Sequence, residues 1–205
     1  MPIAGPLLGT IIQAQLAANG FLGSHTVPLS QAIGNGVVNS ILATAVYTGT
    51  STGFGLGVGS STGLLIGGVV IGPTVGSLIL ARMIASGFLG SNTPQMASAI
   101  GNAIAVHMLT AMVQGASTVV AAGVGTGIIT GVAGPMVGST IFLQMTAMGL
   151  LGSKSQQLAF AIGNGVADAF AITAVNTVIA GIPVGPIPPI FPPIPSVGSD
   201  TGKLF

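Results

Sequence analysis

One spaced pair of motifs constrains this chain more than anything else in it. Gly5-Pro6, Gly72-Pro73 and Gly134-Pro135 each precede a second glycine, Gly20, Gly87 or Gly149, by 15 residues. Those second glycines open GFLGS at 20–24, GFLGS at 87–91 and GLLGS at 149–153, and each is followed by a similar stretch: QAIGNGVVNSI at 31–41, SAIGNAIAVHM at 98–108 and FAIGNGVADAF at 160–170. The step between turns is 67 residues and then 62. A fixed internal period sets the architecture before any local reading does. The expected organisation is therefore a first unit over 1–71, a second over 72–133, a third over 134–184 and a proline-rich tail over 185–205.

Each unit reads as helix, turn, helix and arm. Proline near the start of a helix has no backbone donor to lose, so Pro6, Pro73 and Pro135 mark the first helices, and Gly20, Gly87 and Gly149 suit the left-handed position that ends them. Thr26, Thr93 and Ser155 occupy equivalent places at the start of the second helices, where a hydroxyl is expected to cap exposed amides. In the first unit Leu29, Ile33, Val37 and Ile41 form one i, i+4 row, joined by Val38, Leu42 and Ala45, while Gln31, Asn35 and Asn39 form another. Ile-Gly-Asn recurs at 33–35, 100–102 and 162–164. A mid-helix glycine costs about 1 kcal/mol relative to alanine, so Gly34, Gly101 and Gly163 are expected where helices approach closely, with Asn35, Asn102 and Asn164 beside them.

The arms, TGTSTGFGLGVGSSTGLLIGGVV (48–70) and QGASTVVAAGVGTGIITGVA (114–133), alternate Thr, Val, Phe or Leu with Gly or Ser. That period of two predicts pairs of short strands, suited to completing a neighbour's sheet. The third arm is abbreviated to NTVIAGIPV (176–184), and proline density predicts an extended tail without a central strand. The fold class is thus mainly α with short β arms: three tandem helix-turn-helix plus Gly-rich β-hairpin units and an extended Pro-rich C-terminal tail.

Charge decides which functions are open. The 205 residues hold three Lys or Arg, two Asp or Glu, no Cys and 34 Gly, and Arg82 is the first charged side chain. An ordinary domain is roughly 25% charged, and surfaces near zero net charge associate, so a free monomer is not expected. A net charge of +1 offers no footprint for nucleic acid, which needs clustered cations to displace counterions. Disulfides and thiolate metal sites are excluded. MPIAGPLLGT lacks the basic region of a secretory signal, so no cleaved leader is expected.

Two readings of the uncharged exterior compete. Small-xxx-small spacings such as Gly5-Gly9, Gly72-Gly76 and Gly134-Gly138 suit packed membrane helices. Gly-Pro nevertheless interrupts the apolar stretches, and only the second helices would be long enough for a roughly 30 Å hydrocarbon core. With no Trp and one Tyr there is no aromatic belt either. The preferred reading is a subunit whose surface is covered by other protein, its partners being other structural proteins and copies of itself. Three similar faces would suit a three- or six-fold ring. The alternative is an integral membrane oligomer that forms a pore or delivers material across a membrane.

Gly-Pro-x-x-Gly helix starts, GFLGS turns, IGNG helices and Gly/Thr-alternating arms in so uncharged a chain resemble, over residues 1–184, the glycine-rich virion structural proteins of tailed bacteriophages. The resemblance implies a place in a tail or baseplate and carries over no functional residue. No catalytic, cofactor or metal site is expected. His25, His107, Asp168, Asp200, Arg82, Lys154 and Lys203 are the only charged or imidazole groups, and Asp168 is expected to bind an amide or a cation such as Arg82 or Lys154. GFGLGVGSSTG (53–63) lacks the acidic residue of a dinucleotide site. The residues singled out are structural: Pro6, Pro73, Pro135, Gly20, Gly87, Gly149, Gly34, Gly101, Gly163, Asn35, Asn102 and Asn164.

Overall fold

The computed structural model describes residues 4–44, 46–54, 58–64, 72–117, 122–172, 174–181 and 195–203. Over these the protein is mainly α. Helices α1 (Gly5–Ala18) and α2 (Thr26–Thr44) lead to strands β1 (Val46–Phe54) and β2 (Val58–Leu64). Helices α3 (Gly72–Ala85) and α4 (Thr93–Met108) lead to β3 (Met112–Ser117) and β4 (Ala122–Thr130), and α5 (Gly134–Ala147) and α6 (Ser155–Ala171) lead to β5 (Ala174–Gly181) and β6 (Pro195–Lys203).

Local chemistry explains the helix ends. Gly20, Gly87 and Gly149 have φ of 80°, 86° and 73°, a conformation that strains any residue with a Cβ. Behind them the chain closes each first helix with a Schellman pair. The Gly20 amide donates to the Ala17 carbonyl at 3.0 Å and the Phe21 amide to Leu16 at 2.9 Å; Gly87 and Phe88 repeat this on Ile84 and Met83, and Gly149 and Leu150 on Thr146 and Met145. Phe21, Phe88 and Leu150 thereby fold back over Leu16, Met83 and Met145, the hydrophobic contact that usually accompanies this motif.

The hydroxyls at the second helices behave differently from the capping expectation. Thr26 Oγ1 donates to the Phe21 carbonyl and Ser155 Oγ to the Leu150 carbonyl, each at 3.1 Å, while Ser155 Oγ accepts from the Gly152 amide at 2.6 Å. Asn92 and Lys154 stand at the cap positions of α4 and α6 and make no side-chain cap bond. Thr26 and Ser155 are already the first helical residues, so their hydroxyls face back into the turn, away from the amides ahead of them.

Each helix packs on its two neighbours in chain order, and α6 returns to α1, which closes a ring. The interior is built in layers from equivalent positions. Leu8, Val75 and Val137 form one set, Ile12, Ile79 and Ile141 the next, then Leu16, Met83 and Met145; all are buried. The second helices add Ile33, Ile100 and Ile162, then Val37, Ile104 and Val166, then Ile41, Met108 and Phe170. Of the row expected on α2, Ile33, Val37, Val38 and Ile41 are buried, Leu29 is partly covered and Leu42 is exposed. Ala45 lies outside the described residues.

The strands form a second closed ring. Their order is β1-β2-β3-β4-β5-β6 in a barrel, every neighbouring pair antiparallel. Ile129 of β4 is buried in the same core as the helices and ties the two layers together. This corrects two expectations. The arms pair with one another within the chain, so the described strands leave no free edge for a neighbour's sheet. Residues 195–203, expected as extended tail, form β6 between β5 and β1, with Pro195 opposite Phe54 and Gly198 opposite Gly181. Proline is tolerated because it is the first residue of the strand. The third arm is therefore completed by the tail, and the remainder of that tail, 182–194, lies outside the described residues.

Candidate interaction surface

The glycines of the second helices sit where two backbones touch. A Cβ built on Gly34 would land on the Gly9 amide nitrogen and lie 2.6 Å from the Gly5 carbonyl oxygen. Gly101 stands the same way to Gly76 and Gly72, and Gly163 to Gly138 and Gly134. No side chain fits in such a space. Asn35, Asn102 and Asn164 lay their side-chain oxygens over Gly5, Gly72 and Gly134, the first residues of α1, α3 and α5, so those glycines are equally confined. Pro6, Pro73 and Pro135 follow directly as exposed second residues.

The hairpins bring their three turns together. The His25 ring meets Phe88 edge-on at 5.6 Å between centroids, which joins the first turn to the second. Lys154 Nζ lies 5.5 Å over the Phe21 ring and joins the third turn to the first. A cleft of about 310 Å³ separates the second turn from the third, lined among others by Gly90, Asn92, Met96, Met145 and Leu151. A second, also about 310 Å³, opens beside His25 between Phe21, Leu29 and Leu158. On the outside of this rosette, Leu22, Leu89 and Leu151 are 80%, 78% and 63% exposed. They are the third residues of the recurring GFLGS and GLLGS motifs, whose glycines were informative as turns but whose leucines were not recognised as a surface.

The remaining ionisable groups are dispersed. Asp168 near the end of α6 accepts from Gln15 Nε2 of α1 at 2.8 Å, an amide partner in place of Arg82 or Lys154. His107 of α4 lies 2.9 Å from Thr140 of α5 through Nε2. Because Thr140 spends its single hydroxyl proton on the Met136 carbonyl at 2.9 Å, the imidazole must be the donor. Arg82 is exposed in the last turn of α3, close to the rosette, and Asp200 and Lys203 are placed on β6 opposite Gly49 and Val46. Among the described residues no three His, Cys, Asp or Glu gather as a metal site would require. What the arrangement offers chemically is contact: apolar tips, hydroxyls and amides around two shallow clefts.

Among the described residues, no helix is long and apolar enough to cross a membrane. Comparison with protein-family models, with curated proteins and with solved structures gives no match.

Proposed function

We propose that this chain is a non-enzymatic structural subunit of a large symmetric assembly, a bacteriophage virion, built from three copies of one unit closed about a threefold pseudo-axis. The observation that carries the reading is double closure: α6 packs on α1, and β6 pairs with β1. Tandem units could equally have stacked in a row. Closed as they are, they present like faces around one axis, and a trimeric partner on the same axis would meet each face with one of its own subunits.

The near absence of charge supports burial in such an assembly, because uncharged surfaces at net charge near zero associate when left bare. Several exterior hydroxyls of the helices are satisfied locally: Thr10 binds the Pro6 carbonyl, Ser77 that of Thr74 and Thr146 that of Phe142, at 2.8–2.9 Å. That leaves a surface that a neighbouring protein can cover while desolvating few ions, Arg82, Lys154 and Asp168 being the exposed ones of the helical layer. A tail or baseplate location rests on the sequence resemblance alone.

The test is fractionation of the native source. Recovery with intact particles, at one chain for every three copies of its direct neighbour, is the expected result. Recovery in a carbonate-washed bilayer fraction with no particle association overturns the reading in favour of a membrane oligomer.

A further inference from the structure

We propose that the rosette of helix turns is a membrane-contact surface that engages a bilayer containing anionic lipid. Three observations converge on it. First, Leu22, Leu89 and Leu151 are the most exposed large apolar side chains of the three turns, and the turns are held together by the His25–Phe88 and Lys154–Phe21 contacts. Second, each leucine sits between a left-handed glycine and a second glycine, Gly23, Gly90 or Gly152, where a built Cβ meets nothing closer than 3.4 Å. The tips therefore stand clear of the body and can enter an apolar layer without unpacking the core.

Third, charge is distributed to one side. Both helical cations lie at or near the rosette: Lys154 in the third turn and Arg82 in the last turn of α3, with His25 in the first turn. Residues 19–25, 86–92 and 148–154 contain no acidic residue. Asp168, the acid of the helical layer, is 13 residues along α6 from Ser155, or about 20 Å at 1.5 Å per residue. Apolar tips and a basic flank are the two signals that together hold a protein at the boundary between headgroups and acyl chains. A purely apolar docking site for protein would gain nothing from that one-sided charge, whereas phosphate headgroups complement it. Ser24, Ser91, Asn92 and Ser153 between the tips are exposed and supply hydrogen-bonding groups at headgroup depth.

The proposal goes beyond the assembly reading and is tested separately from it. Purified full-length chain is floated with vesicles of phosphatidylcholine alone or with about 30 mole per cent phosphatidylglycerol, whose charge gives the surface a negative potential. The expected result is flotation with the anionic vesicles, weakened at least several-fold without the anionic lipid and weakened by high salt. Leu22→Ser, Leu89→Ser and Leu151→Ser combined should reduce it at least tenfold with an unchanged helical circular dichroism spectrum. Leu109→Ser with Met136→Ser, on exposed positions at the helix ends away from the turns, should leave it intact. No flotation with anionic vesicles, undiminished flotation of the triple variant, or equal loss in the Leu109/Met136 control each overturns the proposal. Particle association without vesicle binding overturns it while leaving the assembly reading standing.

Discussion

The seam between α6 and α1 and the seam between α4 and α5 occupy corresponding places in the helix ring, yet they are built differently. At the first, Gly165 of α6 faces Ile12 so closely that a Cβ would lie 2.7 Å from the Ile12 Cα. Gly36 of α2 stands likewise to Ile79 of α3. At the α4–α5 seam the corresponding residue is Ala103, fully buried, so a methyl occupies the space that glycine leaves empty elsewhere. Backbones cannot approach as closely there, and the seam carries the half-buried His107–Thr140 hydrogen bond, the counterpart of the exposed Gln15–Asp168 bond across α6–α1. Its flank also exposes Val106, Leu109, Met136 and Leu143, where the α6–α1 seam has Asp168, Ala171, Leu7 and Ala14. A closed ring needs all its seams, but it does not need them equal. Where backbones touch, close shape holds the contact beside an exposed amide–carboxylate bond; where a methyl intervenes, the polar bond is half-buried.

The harshest way to break this comparison lies inside the hairpins, which are alike in all three places. Gly34→Leu, Gly101→Leu or Gly163→Leu drives a branched side chain into facing backbone and should cost about 3 kcal/mol or more; loss of a cooperative thermal transition and of assembly is expected for each. Normal incorporation of all three variants would refute backbone contact as the basis of the hairpin.

The seams themselves separate under a smaller change. Gly165→Ala should destabilise by roughly 1–3 kcal/mol through steric displacement of Ile12, although alanine is the better helix former. Ala103→Gly should cost about 1 kcal/mol from helix propensity alone, with no compensating approach. Denaturant midpoints of the two variants decide the matter, and a stabilised Gly165→Ala protein would show that the close contact is not there. Smallest are the polar links. His107→Ala removes the donor to Thr140 and should cost about 1 kcal/mol, whereas Asp168→Ala, at an exposed site, should stay within about 0.5 kcal/mol. Equal effects of the two would mean that α4–α5 relies on its hydrogen bond no more than α6–α1 does.

Much of the helical layer is legible in the amino-acid sequence. Gly-Pro at 5, 72 and 134 places the helix starts, and the left-handed Gly20, Gly87 and Gly149 place the ends, because both depend on backbone sterics within a few residues. The second helices do begin at Thr26, Thr93 and Ser155. The role of the Thr26 and Ser155 hydroxyls is not legible there, because one residue of offset decides whether a side chain reaches forward to amides or back into the turn. The exposed leucines of the rosette were hidden for another reason. An apolar residue in a turn carries no periodic signal, and only the convergence of three turns reveals that it remains uncovered. β6 escaped because its partners lie far back along the chain, with Pro195 opposite Phe54, and glycine and proline give a strand little local preference.

By itself the amino-acid order determined the hairpin: where each helix starts and stops, and which small residues let its two helices touch, since these are contacts among near neighbours in the chain. The return of α6 to α1 and of β6 to β1 was decided only in three dimensions. Closure depends on the tilt and twist accumulated from one hairpin to the next, and that sum is a property of packed surfaces with no counterpart in any short stretch of residues.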